Sequence, residues 1–251
     1  MKNILYIIAV ILLGFGCTKN DSSGVGDSSG NAGQGGSMAK FSVNGNHLFL
    51  INNHQLKTFD ITNASQPSLV SNTDMGFGIE TVFILGENLF VGANNGMYIY
   101  DISDPSHLVK LSFYQHITSC DPVVANDSLA FVTLNSASSC QWQGGANRLD
   151  VLDIANKLNP IQLSSVAMAS PKGLAINHQY LYVCNAENGV KVFDYSNPKS
   201  LSLINMIQGI DSYDVIIRNS TLFLIGDDGL YQYDITDPNQ ITIISSLSFH
   251  Y

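Results

Sequence analysis

Five aspartates recur at nearly constant spacing and are the first candidates for chemistry. They lie 41, 52, 41 and 40 residues apart: Asp60, Asp101, Asp153, Asp194 and Asp234. A ring of carboxylates could hold a metal ion, since hard cations prefer oxygen ligands. Alternatively, each side chain caps backbone N–H groups of the turn that follows it. A residue that marks the same corner of every repeat favours the structural role, so we predict no metal site.

Other catalytic chemistry has little support in the sequence. The His-Glu-x-x-His zinc motif, the P-loop and the dinucleotide-binding glycine motif are all missing. The six histidines lack the spacing of metal ligands. Glu80 and Asp121 could act as a general acid and base pair, although two carboxylates at a polar rim are a weak signal. We therefore predict a protein that is not an enzyme and has no cofactor.

The elements that position the aspartates are strands. Each aspartate ends a segment with apolar residues at alternate positions and precedes a polar turn, as in Leu230–Pro238. An all-β period near 40 residues is typical of a β-propeller with one four-stranded antiparallel blade per repeat. The sequence therefore predicts a five-bladed propeller over residues 38–251. Its blades cover about 38–77, 78–118, 119–169, 170–210 and 211–251.

Short turns connect the predicted strands. The pairs Asn95-Gly96, Asn188-Gly189 and Asp228-Gly229 supply the positive φ angles of two-residue hairpins between second and third strands. Every blade has four strands of its own, so we expect the ring to close without strand exchange. Closure would then depend on side-chain packing of Phe41 and Val43 against the strand 241–247.

The first strand of each blade should line the central channel. Alignment of the second strands makes one set of residues equivalent at the channel mouth, on the face we call the top: Ala39, Glu80, Asp121, Lys172 and Tyr213. Asp214 follows one step further down. These positions vary in type where structural positions repeat, so the mouth is the predicted ligand site. The alternative is a solvated rim without a ligand.

Blade three carries an insertion of eleven residues between its second and third strands. Long loops on regular scaffolds are common places for function. Trp142, the only tryptophan, lies in this loop, where it could contact a sugar or a protein. It could equally fold over the blade as a local plug.

The N-terminus resembles a bacterial lipoprotein signal. Lys2 precedes the apolar segment Ile4–Phe15, and Gly16 precedes Cys17. Twelve apolar residues suit a secretory signal and are too few to span a membrane. The resemblance implies lipidation of Cys17, although Gly14 and Phe15 depart from the usual pattern. A plain signal peptide or an uncleaved anchor remains the alternative.

Residues 18–37 are rich in serine and glycine and are predicted to form a disordered tether. Its root-mean-square reach would be about 25 Å. Thr18 follows the cysteine where aspartate would favour the inner membrane. By resemblance to lipoprotein sorting, this implies an extracytoplasmic protein anchored to the outer membrane.

The repeats resemble the LVIVD-repeat family of propeller-like surface modules. The resemblance rests on Leu149–Asp153, on Val190–Asp194 and on the Asp-Pro turn after Asp101. It covers the chain from about residue 38 onward. It implies the fold and an extracytoplasmic setting, and it implies no catalytic residue.

A Cys120–Cys140 disulfide is predicted at the top face. Both cysteines lie in connections of blade three on that face, and exported proteins keep such bonds oxidised. Cys120–Val123 followed by a cysteine in this loop also resembles a pairing within the family. Closing a loop of about 20 residues would contribute about 3 kcal/mol in the chain-entropy model. Cys184, in an apolar strand, is predicted to stay reduced and buried.

Charge narrows the class of partner. The net charge is −9 and only 12% of residues are charged, which leaves no basic surface for nucleic acid or anionic lipid. Membrane contact would occur only through the lipid. We therefore predict a monomeric, non-catalytic lipoprotein that binds an envelope protein or glycan through its top face. The alternative is an extracytoplasmic polysaccharide hydrolase or lyase with its site at the channel mouth.

Overall fold

The computed structural model describes residues 36–52, 54–116, 122–136 and 147–249. Five four-stranded antiparallel sheets lie in a ring and form a five-bladed β-propeller, as predicted. In each sheet the strands follow chain order, with the first strand innermost. The described part of the chain contains no helix with the length and apolar character needed to cross a bilayer.

Each blade contributes four consecutive strands. Blade one comprises β1 Phe41–Asn44, β2 His47–Ile51, β3 Gln55–Asp60 and β4 Ser68–Asp74. Blade two comprises β5 Ile79–Leu85, β6 Asn88–Ala93, β7 Gly96–Asp101 and β8 Val109–Gln115. Blade three comprises β9 Val123–Ala125, β10 Leu129–Leu134, β11 Arg148–Asp153 and β12 Ile161–Ala167. Blade four comprises β13 Leu174–Asn177, β14 Tyr180–Cys184, β15 Val190–Asp194 and β16 Ser202–Ile207. Blade five comprises β17 Ser212–Arg218, β18 Thr221–Gly226, β19 Gly229–Asp234 and β20 Thr242–Ser248.

The recurring aspartates cap turns. In every blade the carboxylate accepts the backbone N–H of the residue two positions later, at 2.7 to 2.9 Å. Hydroxyl and backbone hydrogen bonds from that residue lower the pKa of Asp60, Asp194 and Asp234. This confirms the structural interpretation of the aspartates.

The residue type is also fixed at one hairpin glycine. Gly189 has φ +71°, and a Cβ there would lie 1.9 Å from the carbonyl oxygen of Ile207, so only glycine fits this turn.

The core is divided among the junctions between blades. Four apolar clusters join blades one and two, two and three, three and four, and four and five. An aromatic residue at the centre of the second strand is fully buried in each of the first four blades: Phe49, Phe90, Phe131 and Tyr182. The matching Phe223 of blade five is only partly buried.

The junction between blade five and blade one, which we call the seam, is packed differently. Phe41 pairs with Leu50 across β1 and β2, and the two residues are 57% and 36% exposed. Their equivalents are at most 1% exposed: Val82 with Val91, Val123 with Val132, Leu174 with Val183, and Val215 with Leu224. On blade five, Ile225 is 41% exposed. The seam therefore presents apolar side chains to solvent.

The predicted closure by Phe41 and the strand 241–247 is thus wrong in detail. Phe41 is exposed, β20 is exposed along its whole length, and Ile241 packs toward blade four instead. The outer strands show the same difference at the seam, because a hydrogen bond from the fourth strand to the next blade occurs at the other four junctions. Ser71, Ser112, Ser164 and Asn205 each donate to a carbonyl of the next blade at 2.6 to 2.9 Å. The equivalent Ser245 is exposed, and it forms no such bond within the described residues.

Candidate functional site

The top face is defined by hydrogen bonds between the links from blade to blade and the hairpins between second and third strands. Met75 donates its N–H to His54 at 2.9 Å, and Asn94 donates to Gly78 at 2.8 Å. In blade five, Asp227 donates to Asp211 at 3.0 Å. Links and hairpins therefore lie together, and the channel mouth opens among them.

Part of the predicted rim comes together between blades four and five. The ammonium of Lys172 lies 3.7 Å from the ring centroid of Tyr213 and 3.4 Å from Oδ1 of Asp211. The Tyr213 hydroxyl lies 3.3 Å from Oδ1 of Asp227. The negative charge of Asp227 raises the pKa of Tyr213. A cation thus stacks on an aromatic ring between two carboxylates, which is a surface suited to polar recognition.

Asp214 lies one residue beyond Tyr213 and turns into the mouth. Its Oδ1 accepts the hydroxyl of Ser37 at 3.1 Å and the N–H of Val215 at 3.0 Å. Burial raises the pKa of Asp214 to about 6, and its hydrogen bonds oppose that shift. The mouth is therefore partly filled by the chain itself.

Ser37, the last residue of the predicted tether, is buried in the structure. The residue is 1% exposed and accepts the N–H of Leu174 at 2.7 Å. Serine and glycine occur both in disordered tethers and in tightly packed contacts, so composition alone could not predict that Ser37 is buried against blades four and five.

Among the other predicted site residues, the structure describes only Glu80. Glu80 lies on β5 at the position equivalent to Lys172 and is partly buried. Asp121 and Trp142, the proposed Cys120–Cys140 pair and the lipidation residue Cys17 all lie outside the described residues. The acid and base pair of Glu80 with Asp121 therefore stays a prediction.

Two further features were missed by sequence reasoning. Phe77, in the link between blades one and two, is 82% exposed, and its ring meets that of His54 edge-on at 4.1 Å between centroids. On the opposite face, a pocket of about 410 Å³ lies between a hairpin of blade one and a turn of blade two, lined by residues that include His47, Glu87 and Pro105. Neither position departs visibly from the repeat pattern.

Cysteine and metal chemistry can be examined in the described residues. Cys184 is buried and free, as predicted, and burial raises the pKa of its thiol. Within residues 36–249, gaps excepted, no group of three or more His, Cys, Asp or Glu side chains is arranged to hold a metal.

The fold and the rim define a five-bladed β-propeller whose top face carries the candidate site. The LVIVD repeat model matches residues 35–75, 80–115 and 170–208, which fall on blades one, two and four. Three of the five blades therefore carry LVIVD repeats, as the sequence of the repeats indicated.

Solved structures with the same fold differ widely in sequence. A functionally unknown protein from Desulfotomaculum acetoxidans is 11% identical, with a TM-score of 0.67 over 87% of this chain and 69% of its own. A Lactobacillus plantarum protein is 16% identical, with a TM-score of 0.66 over 82% and 72%. The periplasmic gluconolactonase of Pseudomonas aeruginosa is 13% identical, with a TM-score of 0.63 over 81% and 67%. Among curated proteins, none matches the chain in sequence.

Proposed function

We propose that the protein is a non-catalytic binding module of the cell envelope whose top face contacts a protein or a glycan. The observation that carries this proposal is Phe77. It is 82% exposed on a link of the same face as the polar rim, so its ring is available as an apolar anchor for a partner.

The backbone around Phe77 supports the same reading. Gly76 and Gly78 flank it with φ of +80° and +85°, values that other residues rarely adopt. The link is thus shaped to hold the ring away from the blade, with His54 beneath its edge. Met38, at the channel mouth, is also exposed. Aromatic side chains and Met are enriched at the centres of protein interfaces.

The polar side chains of the top face would orient the partner. Lys172 and Tyr213 lie on the same face, and their stacked pair presents both a cation and a hydroxyl. An apolar anchor with a few convergent polar groups is the usual composition of a recognition site.

A capture experiment tests the proposal. Tagged full-length protein is incubated with envelope extract, and its partners are compared with those of Phe77→Ser and Lys172→Ala. Leu158→Ser is the matched control, because Leu158 is also exposed but lies in a turn on the opposite face. We expect both top-face variants to lose the partner and the control to retain it. Prior protease or glycosidase treatment of the extract would show whether the partner is a protein or a glycan. Equal capture by Phe77→Ser and wild type would refute the proposal.

The envelope setting rests on Cys17 and is tested separately. If the cysteine carries lipid, Cys17→Ser should release the protein into the soluble fraction, and labelled palmitate should no longer mark it. Stable anchoring needs more than one acyl chain, which a lipoprotein anchor provides. Membrane association that survives the substitution would contradict the lipid anchor and leave the top-face proposal unaffected.

A further inference from the structure

The residues immediately before blade one lie in the channel mouth. This N-terminal segment, residues 36–38, contacts two distant blades through Ser37. The two residues that follow it are held by blades one and two, because Lys40 accepts the N–H of Ile51 and Ala39 accepts the N–H of Val82, each at 2.9 Å. The Ser37 hydroxyl donates to Asp214 of blade five at 3.1 Å and accepts the N–H of Leu174 of blade four at 2.7 Å. Ser37 therefore joins the start of the propeller to two strands that lie 137 and 177 residues further along the chain.

The segment also forms one wall around the Asp214 carboxyl. A Cβ at Gly36 would lie 2.0 Å from Oδ2, and a Cβ at Gly173 would lie 2.0 Å from Oδ1. The N–H of Met38 adds a further hydrogen bond to this carboxyl. If the segment moved away, water would reach the Asp214 oxygens directly.

Other ionisable groups around Asp214 are few and are identified by their contacts. Lys172, in the link before β13, is held by Asp211 and the Tyr213 ring. Cys184, on β14, is fully buried, and the charge of Asp214 contributes to its raised pKa after burial itself. Tyr213 points toward Asp227. None of these side chains would shield the Asp214 oxygens from water if the segment moved away.

We propose that the N-terminal segment is an acid-strengthened gate over the channel mouth, which docks more tightly when Asp214 is protonated and opens more readily when it is ionised. Docking removes water from the carboxyl, and desolvation favours its neutral form. By linkage, protonation must then favour docking to the same extent. A carboxyl protonated at Oδ1 can donate to the Ser37 oxygen, which has a second acceptor position beside the one that Leu174 uses.

The expected size of the effect follows from the two titration limits. Docked Asp214 has a pKa of about 6, against 3.8 for the exposed group. Because blades four and five also bury the carboxyl, this difference sets an upper limit of about 100-fold on how much acid can favour docking over neutral pH. The gate would then uncover the mouth more often at neutral pH than in acid, on the face that carries the rim of Lys172 and Tyr213.

The Leu174 amide reports the gate directly, because it donates to Ser37 and not to another strand. Hydrogen exchange of the full-length protein is followed by NMR at about pH 5 and about pH 7.5, and protection factors are corrected for intrinsic exchange. The Cys184 amide, which donates to Gly173 within the same blade, is the internal control. We expect Leu174 protection in the wild type to fall by about 10- to 100-fold at the higher pH while Cys184 protection stays constant.

Variants separate the gate from general loosening of blade four. Asp214→Asn should keep Leu174 protected at both pH values, and Asp211→Asn, the matched carboxylate control, should behave like the wild type. Ser37→Ala should lower Leu174 protection at both pH values without changing Cys184, which keeps the inference testable if Asp214→Asn folds poorly. Leu174 protection that is constant in the wild type, or that falls equally in Asp214→Asn, would overturn the proposal.

Discussion

The hydroxyl of Ser37 lies 3.1 Å from Oδ1 of Asp214, which is 177 residues further along the chain. This contact joins the segment before blade one to the inner strand of blade five. It lies at the top of the seam, whose apolar side chains at Phe41 and Ile225 remain exposed. The ring is therefore held at this junction by polar contacts more than by a shared apolar core.

The free energy of unfolding should depend on pH through Asp214. The native state binds this proton up to a pH of about 6, whereas the unfolded chain releases it near 3.8. Between these values the native state binds more protons, so stability should fall as pH rises and then level off above about pH 6. The full difference is at most about 3 kcal/mol.

Asp214→Asn checks this directly. Urea unfolding at several pH values from about 4 to about 7 should show the decline in the wild type and its loss in the variant. The lowered pKa values of Asp60, Asp194 and Asp234 act in the opposite direction at lower pH, and they cancel when the two proteins are compared. An equal slope in both proteins would contradict the assignment to Asp214.

Because the seam is packed differently from the other junctions, a leucine-to-alanine substitution should lower the free energy of unfolding by different amounts at two equivalent positions. Leu224 and Leu50 occupy the same place in the second strands of blades five and one, but Leu224 is fully buried and Leu50 is 36% exposed. Leu224→Ala should lower the free energy of unfolding by about 2–5 kcal/mol, because it leaves a cavity between blades four and five. Leu50→Ala should cost about 1 kcal/mol or less. Chemical denaturation measures both, and equal losses would show that the seam is packed in solution like the other junctions.

The fold was predictable because its signals are local and repeated. Asp194 with its following serine, and Asn188 with Gly189, specify turns through the hydrogen bonds and φ angles that the structure shows. The seam was not predictable, since Phe41 is as apolar as the buried Val82 and only the arrangement of whole blades separates them. Ser37 was missed for a similar reason, because its partner Asp214 is distant in sequence.

The outer-strand hydrogen bonds give a matched pair of serines. Ser164 donates to the carbonyl of Pro198 in the next blade at 2.7 Å, whereas Ser245 occupies the same place on β20 and is exposed. Ser164→Ala should cost about 1 kcal/mol, since it removes a partly buried hydrogen bond. Ser245→Ala should change the free energy of unfolding by less than about 0.5 kcal/mol. A substantial loss for Ser245→Ala would indicate that blade five does contact blade one through its outer strand.

The Cys120–Cys140 disulfide is the remaining prediction, and it concerns residues outside the described ranges. If it forms, the loop that carries Trp142 is tied to Asp121, and the insertion of blade three belongs to the channel mouth. Thiols are counted after denaturation of the exported Cys17→Ser protein, which retains three cysteines. One free thiol without reductant, from the buried Cys184, and three with reductant would support the bond. Cys184→Ser should then leave no free thiol without reductant. Three free thiols in unreduced Cys17→Ser protein would rule out the bond and remove the reason for placing Trp142 at the mouth.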